Sequence, residues 1–412
     1  MRLLLSSIGS RGDVQPLLAL ALELRSLGHT PVICVAPNFQ PFVDSFGLEF
    51  VPIGPDLEAW TRMAPAQSSA AKPTPEQLQQ LASHTVAEQF RVMSEAAHGC
   101  DLMLVGGMLQ TAGRSIAELL RIPYVYTAYC PASLPSSDYP PATMGMRHQQ
   151  VASAEANLQL WLADAHMFDQ MFRSAINQQR ALLGLPAITN VARYITTDHP
   201  WLAADKVLGP AGKTNDLSVW QTGGWLVQDS NQLPVELERF LATGEPPLCF
   251  GFGSMRTDSA TGHSLIQAAR MVGRRIILLR GWGNFAPIDE ADVLSVGEVN
   301  HSQLFPRVAL IGHHGGAGTT MAAALAGKPQ VLVPHVYDQF YWSHRMQTLG
   351  VGVEIPSVAE LTLDRVIDSL EAALAPDVVS RAAALAPTLT LNGAELAAQR
   401  LDQLLQASKD TA

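Results

Sequence analysis

Residues 308–339 read VALIGHHGGAGTTMAAALAGKPQVLVPHVYDQ, and the residue types follow the order strand, turn, helix, strand. The apolar run 308–311 predicts a buried strand that stops at His313-His314-Gly315-Gly316-Ala317-Gly318. From that turn the helix-forming run 319–326 opens directly. Gly327 stands where a helix C′ residue belongs, Pro329 blocks continuation, and residues 330–334 resume as a second buried strand. In such a βαβ unit the turn amides and the helix dipole place positive charge above the strand ends, and glycines let a phosphate approach the backbone closely. Three glycines alone also make an ordinary tight turn. The two histidines favour a diphosphate, because one imidazole must face the open side of the loop, where it can donate to a phosphate oxygen. Side chains of adjacent extended residues diverge, which suits shared metal ligation poorly.

Outward from this unit, the length and composition bound the rest. A chain of 412 residues suits two domains of about 200 residues each. An apolar content of 47% with 16% charged residues excludes general disorder. The formal charge of −10 argues against a nucleic-acid partner, since phosphate backbones are bound by basic faces, and favours a small-molecule one. Cys34, Cys100, Cys130 and Cys249 form no CxxC and predict buried free thiols in a reducing cytosol. No export signal and no apolar run of about 20 residues occurs, so a cytoplasmic protein without a transmembrane segment is expected, as a monomer or weak dimer.

Strands are predicted at 2–6, 29–35, 49–53, 101–105 and 124–127, and helices at 15–27, 38–46 and 112–120. The turn after the first strand, residues 7–13, sits where doubly wound sheets bind ligands. It carries no GxGxxG, and no GxxxxGK[ST] occurs anywhere, so dinucleotide and P-loop readings lose ground. Residues 55–75 and 131–150, rich in Pro, Ser, Ala and Met, interrupt the alternation. The helix after the second of them carries Leu158, Trp161, Leu162, Met167, Phe168, Met171 and Phe172. Such insertions either line a site that takes a bulky hydrophobic guest or are surface loops over a helix core. Residues 201–225 have many breakers and little periodicity, and a second βα series follows them. The division is thus 1–205, a linker at 206–225, a second domain at 226–390, and a C-terminal helix at 391–412 that packs back on the first domain. Asn392 and Glu395 resemble an N-cap and capping-box pair ahead of it.

GSRGDVQP at 9–16, CFGFGSM at 249–255, GEVNHSQLFPRV at 297–308, HHGGAGTT at 313–320 and DQFYWSHRMQTLGVGV at 338–353 occur in the order and spacing of the GT-B nucleotide-sugar glycosyltransferases of the family 1 type. The match resembles most the bacterial glycopeptide (vancomycin-type) glycosyltransferases, and the sterol glucosyltransferases share two of the motifs. It spans essentially the whole chain, including HPWLAADKVLGP and QTGGWL between the halves, and is least close over residues 56–161. The resemblance implies an α/β protein of two doubly wound Rossmann-like domains facing across a cleft. It implies a UDP- or dTDP-sugar bound by the C-terminal half, and a hydrophobic small-molecule acceptor bound by the N-terminal half. It also implies inversion at the anomeric carbon with neither cofactor nor metal, and the chain contains no Asp-x-Asp of the kind that holds a divalent ion under a diphosphate.

Carried over residue by residue, the resemblance makes Asp13 the general base that takes the acceptor proton as the bond forms. Asp13 also precedes a helix beginning near Val14, where aspartate is a favoured cap of lowered pKa. Ser10, Arg11 and Gly12 are donor contacts, with Arg11 open to a phosphate or to the acceptor. Ser254 faces a phosphate or the nucleotide, and Val299, Asn300 and His301 border base and ribose. Glu298 occupies the position where plant relatives place a base-stacking tryptophan, so Trp282 either fills that role or belongs to the core. His313, Gly315, Gly316, Ala317, Gly318 and Thr319 hold the diphosphate, and His313 joins the helix dipole and the amides in stabilising its departure. Asp338 and Gln339 match the pair that reads sugar hydroxyls, although Asp338 also suits a helix cap. Met108, Tyr129, Trp161 and Phe168, with His335 of the second half, are candidate acceptor contacts. Two other functions remain on the same scaffold: a nucleotide-sugar epimerase, and a non-catalytic nucleotide-sugar-binding helper.

Overall fold

β1 (Arg2–Ser7) is apolar on both faces, as a strand covered by helices on each side must be, and leads into α1 (Arg11–Ser26). β2 (Thr30–Val35), α2 (Gln40–Asp44), β3 (Glu49–Pro52) and α3 (Leu57–Met63) continue the alternation. α4 (Pro75–Ala96), β4 (Leu102–Gly106), α5 (Gly113–Leu120) and β5 (Tyr124–Ala128) follow. The 29-residue α6 (Ala154–Leu182), α7 (Val191–Thr196) and the short strands β6 (Trp201–Leu202) and β7 (Trp220–Gln221) complete this sheet. Its strands are parallel in the order β3-β2-β1-β4-β5-β6-β7, with Leu4 level with Val32 on one side and Met103 on the other. The structure, a computed structural model, describes residues 1–63, 74–142, 153–214, 216–227, 229, 231–257, 259–282, 285 and 288–410.

The second sheet repeats the scheme. α8 (Val235–Leu241) precedes β8 (Leu248–Gly251), α9 (Ser259–Met271), β9 (Ile276–Leu279), β10 (Val293–Val296) and α10 (His301–Leu304). Then come β11 (Leu310–His313), α11 (Ala317–Leu325), β12 (Gln330–Leu332), α12 (Gln339–Thr348) and β13 (Gly352–Glu354). α13 (Leu363–Ala373), α14 (Pro376–Leu385) and α15 (Gly393–Asp410) end the chain. The parallel order is β10-β9-β8-β11-β12-β13. In each sheet the direction of winding reverses beside the first strand: between β1 and β4, and between β8 and β11. Loops diverge at such a reversal and leave a crevice, and both halves carry their glycine-rich turns there. The chain is thus α/β with two doubly wound Rossmann-like sheets.

α15 returns to the first sheet's helices. Ala397, Ala398, Leu401 and Leu405 are buried in one cluster with Leu17, Leu20 and Leu24 of α1, and His29 Nε2 lies 3.2 Å from Asp402 Oδ1. The four cysteines are buried and unpaired. Among the described residues no helix is long and apolar enough to cross a membrane.

Sequence and structure part where tertiary packing overrides local pattern. The 22-residue α4 is absent from the sequence reading because its first two turns are mostly exposed and polar. Its start was nevertheless encoded, since Thr74 and Gln77 form a capping box. At α15, Glu395 Oε1 accepts from Gln399 Nε2 on the helix surface. Of the two insertions expected to line or cover a site, residues 64–73 and 143–150 lie outside the described residues.

Leu401 is fully buried between α15 and α1. Leu401→Ala should cost about 3 kcal/mol of stability, read as a lower urea midpoint at unchanged slope.

Candidate active site

The loop after β1 delivers Asp13. Ser10 is the N-cap of α1, accepting from Gly12 N, while Asp13 at the third helical position accepts from Ser10 N at 2.8 Å through Oδ2. Asp13 is therefore not the cap that the sequence suggested: the helix starts three residues earlier, at Arg11, and a capping box holds the carboxylate. The expected lowering of its pKa is also reversed. Burial pushes it up to about 6, against the hydrogen bonds from Ser10 that pull it down. Gly9 makes the geometry available, because a Cβ there would lie 2.1 Å from Asp13 Oδ2.

Opposite stand the turns after β11 and β12. Gly315 adopts φ +88°, and a Cβ on it would lie 2.8 Å from the carbonyl oxygen of Gln339, so only glycine lets this turn close on the start of α12. α11 begins after Gly316 with no side-chain cap, leaving the first-turn amides of Ala317, Gly318 and Thr319 for another acceptor. Ala317 and Gly318 share the lining of a cavity of about 40 Å3 with Gly12, Pro16, Tyr129, Asp205, Trp225 and Trp342, among others.

Asp338 precedes α12 but does not cap it; its Oδ2 instead accepts from Trp342 Nε1 at 3.1 Å. Burial and then the charge of Asp13 raise its pKa to about 7. The same charge acts on Tyr129 and Tyr337, both raised chiefly by burial. Asp13 from one sheet and Asp338 from the other thus share one poorly solvated space. The Tyr129 hydroxyl is buried there without a hydrogen-bond partner, packed over Gly106, and its ring meets Trp225 edge-on at 6.3 Å.

Several expected donor contacts are placed otherwise. His313 is wholly buried; its Nδ1 accepts from Gly315 N at 3.0 Å, and its Nε2 lies 2.8 Å from Gln330 Oε1. Both nitrogens are used in shaping the turn, burial lowers its pKa to about 4, and it does not face the open side. His314 is the half-buried one, with Nδ1 unpartnered, and burial lowers its pKa to about 3. The sequence held the signal, a pair of which only one can point outward, without saying which. Gln339 Oε1 accepts from His335 N and Val336 N, so this side chain shapes its own loop. Arg11 pairs with Glu298 of the other half and lies 4.2 Å above the Phe42 ring. Trp282 likewise reaches the other half, 6.2 Å from Phe39. Asn300 caps α10 and donates to Asp229 O and Asn231 O, Val299 packs into the core, and His301 stacks on Phe305 at 4.4 Å. Ser254 is half-buried in the turn after β8.

On the acceptor side, Met108 follows β4 beside the core, and Tyr129 lines the cavity. Trp161 is buried with Nε1 donating to Tyr139 O, and Phe168 packs on Phe172, so both support α6. His335 Nδ1 lies 2.8 Å from Val333 O, with its ring 5.7 Å from Phe252. Trp225 and Trp342, which the sequence reading left out, are brought to the cavity by packing that no local pattern encodes.

Comparison with known proteins fits this geometry. Residues 3–135 match the glycosyltransferase family 28 N-terminal domain, and residues 289–389 match the erythromycin biosynthesis protein CIII-like C-terminal domain. The chain is 40% identical over 415 residues to the vancomycin aglycone glucosyltransferase of Amycolatopsis orientalis, covering 100% of this chain and 99% of the relative. It is 39% identical over 391 residues to the dTDP-epi-vancosaminyltransferase of the same organism, covering 93% and 92%. The solved structure of glycosyltransferase VinC in complex with dTDP superposes with a TM-score of 0.69 at 18% identity, covering 99% of this chain and 100% of the other. Two Rossmann-like sheets meeting at such a cleft define the GT-B glycosyltransferases. Within that class the chain belongs to the vancomycin-type glycosyltransferase family.

Gly9→Ala should displace the Asp13 carboxylate and lower glycosyl transfer about a hundredfold, with a modest fall of the thermal midpoint from loss of the Ser10–Asp13 capping box. Full activity in this variant would show that the placement of Asp13 is unimportant.

Proposed function

We propose that the protein is an inverting, metal-independent O-glycosyltransferase. It would move a hexose from a UDP- or dTDP-sugar to a hydroxyl of a hydrophobic small-molecule acceptor. The observation that carries this reading is that Asp13 and Asp338, half-buried carboxylates of opposite domains, stand close enough for the charge of Asp13 to raise the pKa of Asp338, while Gly12 and Trp342 line one cavity with the uncapped start of α11.

In this reading the α11 amides, with the helix dipole, take the departing diphosphate, and His314 rather than His313 is the imidazole beside it. Asp338 accepts from sugar hydroxyls. Asp13 removes the acceptor proton as its oxygen attacks the anomeric carbon from the face opposite the diphosphate, which inverts that centre. A carboxylate with pKa about 6 is a stronger base than an exposed one and is still ionised at pH 7. The absence of an Asp-x-Asp supports leaving-group stabilisation by the backbone, as does the set of free helix-start amides. Relatives that bear the names of a glucosyltransferase and a dTDP-sugar transferase support a nucleotide-sugar donor of either base.

Incubation with UDP-glucose and with dTDP-sugars, with and without phenolic and sterol acceptors, tests the reading. Product only with acceptor supports it, isomerised donor identifies an epimerase, and tight donor binding without turnover identifies a helper. Added chelator should leave the rate unchanged. Asp13→Asn should lower kcat roughly a thousandfold while donor affinity stays within about twofold. In the native protein kcat/KM should fall about tenfold per pH unit below about 6, because the base is lost as Asp13 protonates. Equal loss of donor binding in Asp13→Asn would move this residue to a structural role.

A further inference from the structure

α12 carries more than the Asp338 carboxylate at its start. Trp342, one turn in, donates from Nε1 to Asp338 Oδ2, and the far edge of its ring lies against Gly209, where a Cβ would come within 2.7 Å of Cη2. Gly209 belongs to the stretch between β6 and β7, on the first sheet's side of the cleft. Asp205 holds that segment by accepting from Val207 N at 2.7 Å and Leu208 N at 3.1 Å through Oδ1, and from Thr390 N at 2.8 Å through Oδ2. Arg345, a turn beyond Trp342, donates to Leu208 O at 3.0 Å and Val207 O at 2.9 Å. The helix is therefore fastened to the β6–β7 stretch of the first domain at one point and bears the Asp338 carboxylate at another, with the indole touching both.

We infer that Trp342 is a positioning residue for the donor sugar: its N–H pins Asp338 Oδ2 so that Oδ1 alone meets the sugar, and its ring sets that carboxylate from the β6–β7 stretch of the first domain. The inference rests on the reading of Asp338 given above and deepens it. An indole N–H only donates, so it requires Oδ2 to accept, and a proton on this carboxyl must sit on Oδ1. The titratable groups facing Asp338 are Asp13, whose charge favours that proton, and the buried Cys130 thiol behind it. The Trp342 hydrogen bond is the contact that opposes protonation from its own helix.

Trp342→Phe keeps a ring on the core side and removes both the N–H and the edge that meets Gly209. It should lower kcat/KM for the nucleotide sugar roughly tenfold and move the acid limb of that profile to higher pH, with the acceptor KM unchanged. Gly209→Ala, which touches neither Asp338 nor substrate, should give a similar loss by pushing on the ring. In the Trp342→Phe background the Gly209 change should add almost nothing, a non-additivity that independent structural damage would not produce. A native pH profile in Trp342→Phe, or additive losses in the double variant, would overturn the inference. If Asp338→Asn also leaves donor KM unchanged, the reading of Asp338 falls; if Asp338→Asn is damaged while Trp342→Phe is native, only the role of Trp342 falls.

Discussion

Withdrawal of the Asp13 carboxylate from water, offset by the Ser10 N–H, is the constraint on which the site depends. Desolvation alone would drive such a group to its neutral form. The hydrogen bonds from Ser10 bring it back to a pKa of about 6, where it is ionised at neutral pH and still basic. That balance requires Gly9, since a side chain there would occupy the carboxylate's place, and it requires α1 to start at Arg11 so that the third helical position faces back onto the cap. It also requires a second domain to close off solvent, which brings Asp338 within reach of the same field.

The parallel sheets were legible because strands buried on both faces read as continuous apolar runs, and helices between them as periodic ones. Glycine turns after β1, β8 and β11 were legible for the same reason: punctuation between apolar runs survives in a linear code. α4 was not, because a helix with a largely exposed first half shows little stripe, and it is held by packing on α6. Within the site, residue types were easier to read than directions. His313 and His314 differ by one position, and only the completed turn, with Gly315 N donating to His313, decides which imidazole is spent inside. Arg11 reads as a ligand contact because it occupies a family motif, and Trp282 as either a base-stacking residue or core. Their partners, Glu298 and Phe39, each stand on the opposite half, nearly 250 or more residues away, where no local pattern could show them.

These cross-domain contacts differ in kind. Arg11 with Glu298 is an exposed ion pair, weakened by solvent and salt and worth little as a fastening. Arg345 on two backbone carbonyls, Tyr341 edge-on to Tyr139 at 5.1 Å and Trp342 against Gly209 are largely removed from solvent and do not depend on ionic strength in the same way. The two halves are therefore joined firmly beside the β6–β7 stretch and loosely where Arg11 meets Glu298.

The return of α15 onto α1 has a topological consequence. The chain passes from one sheet to the other and back, so the second sheet and its helices form an insert whose two ends are both anchored in its neighbour. Two covalent tethers suppress swivelling that a single tether would permit, and leave rocking about the line between them as the soft motion. β1 and α15, meanwhile, both belong to the first-sheet body, so a load applied through either of them leaves the inserted body free to rock.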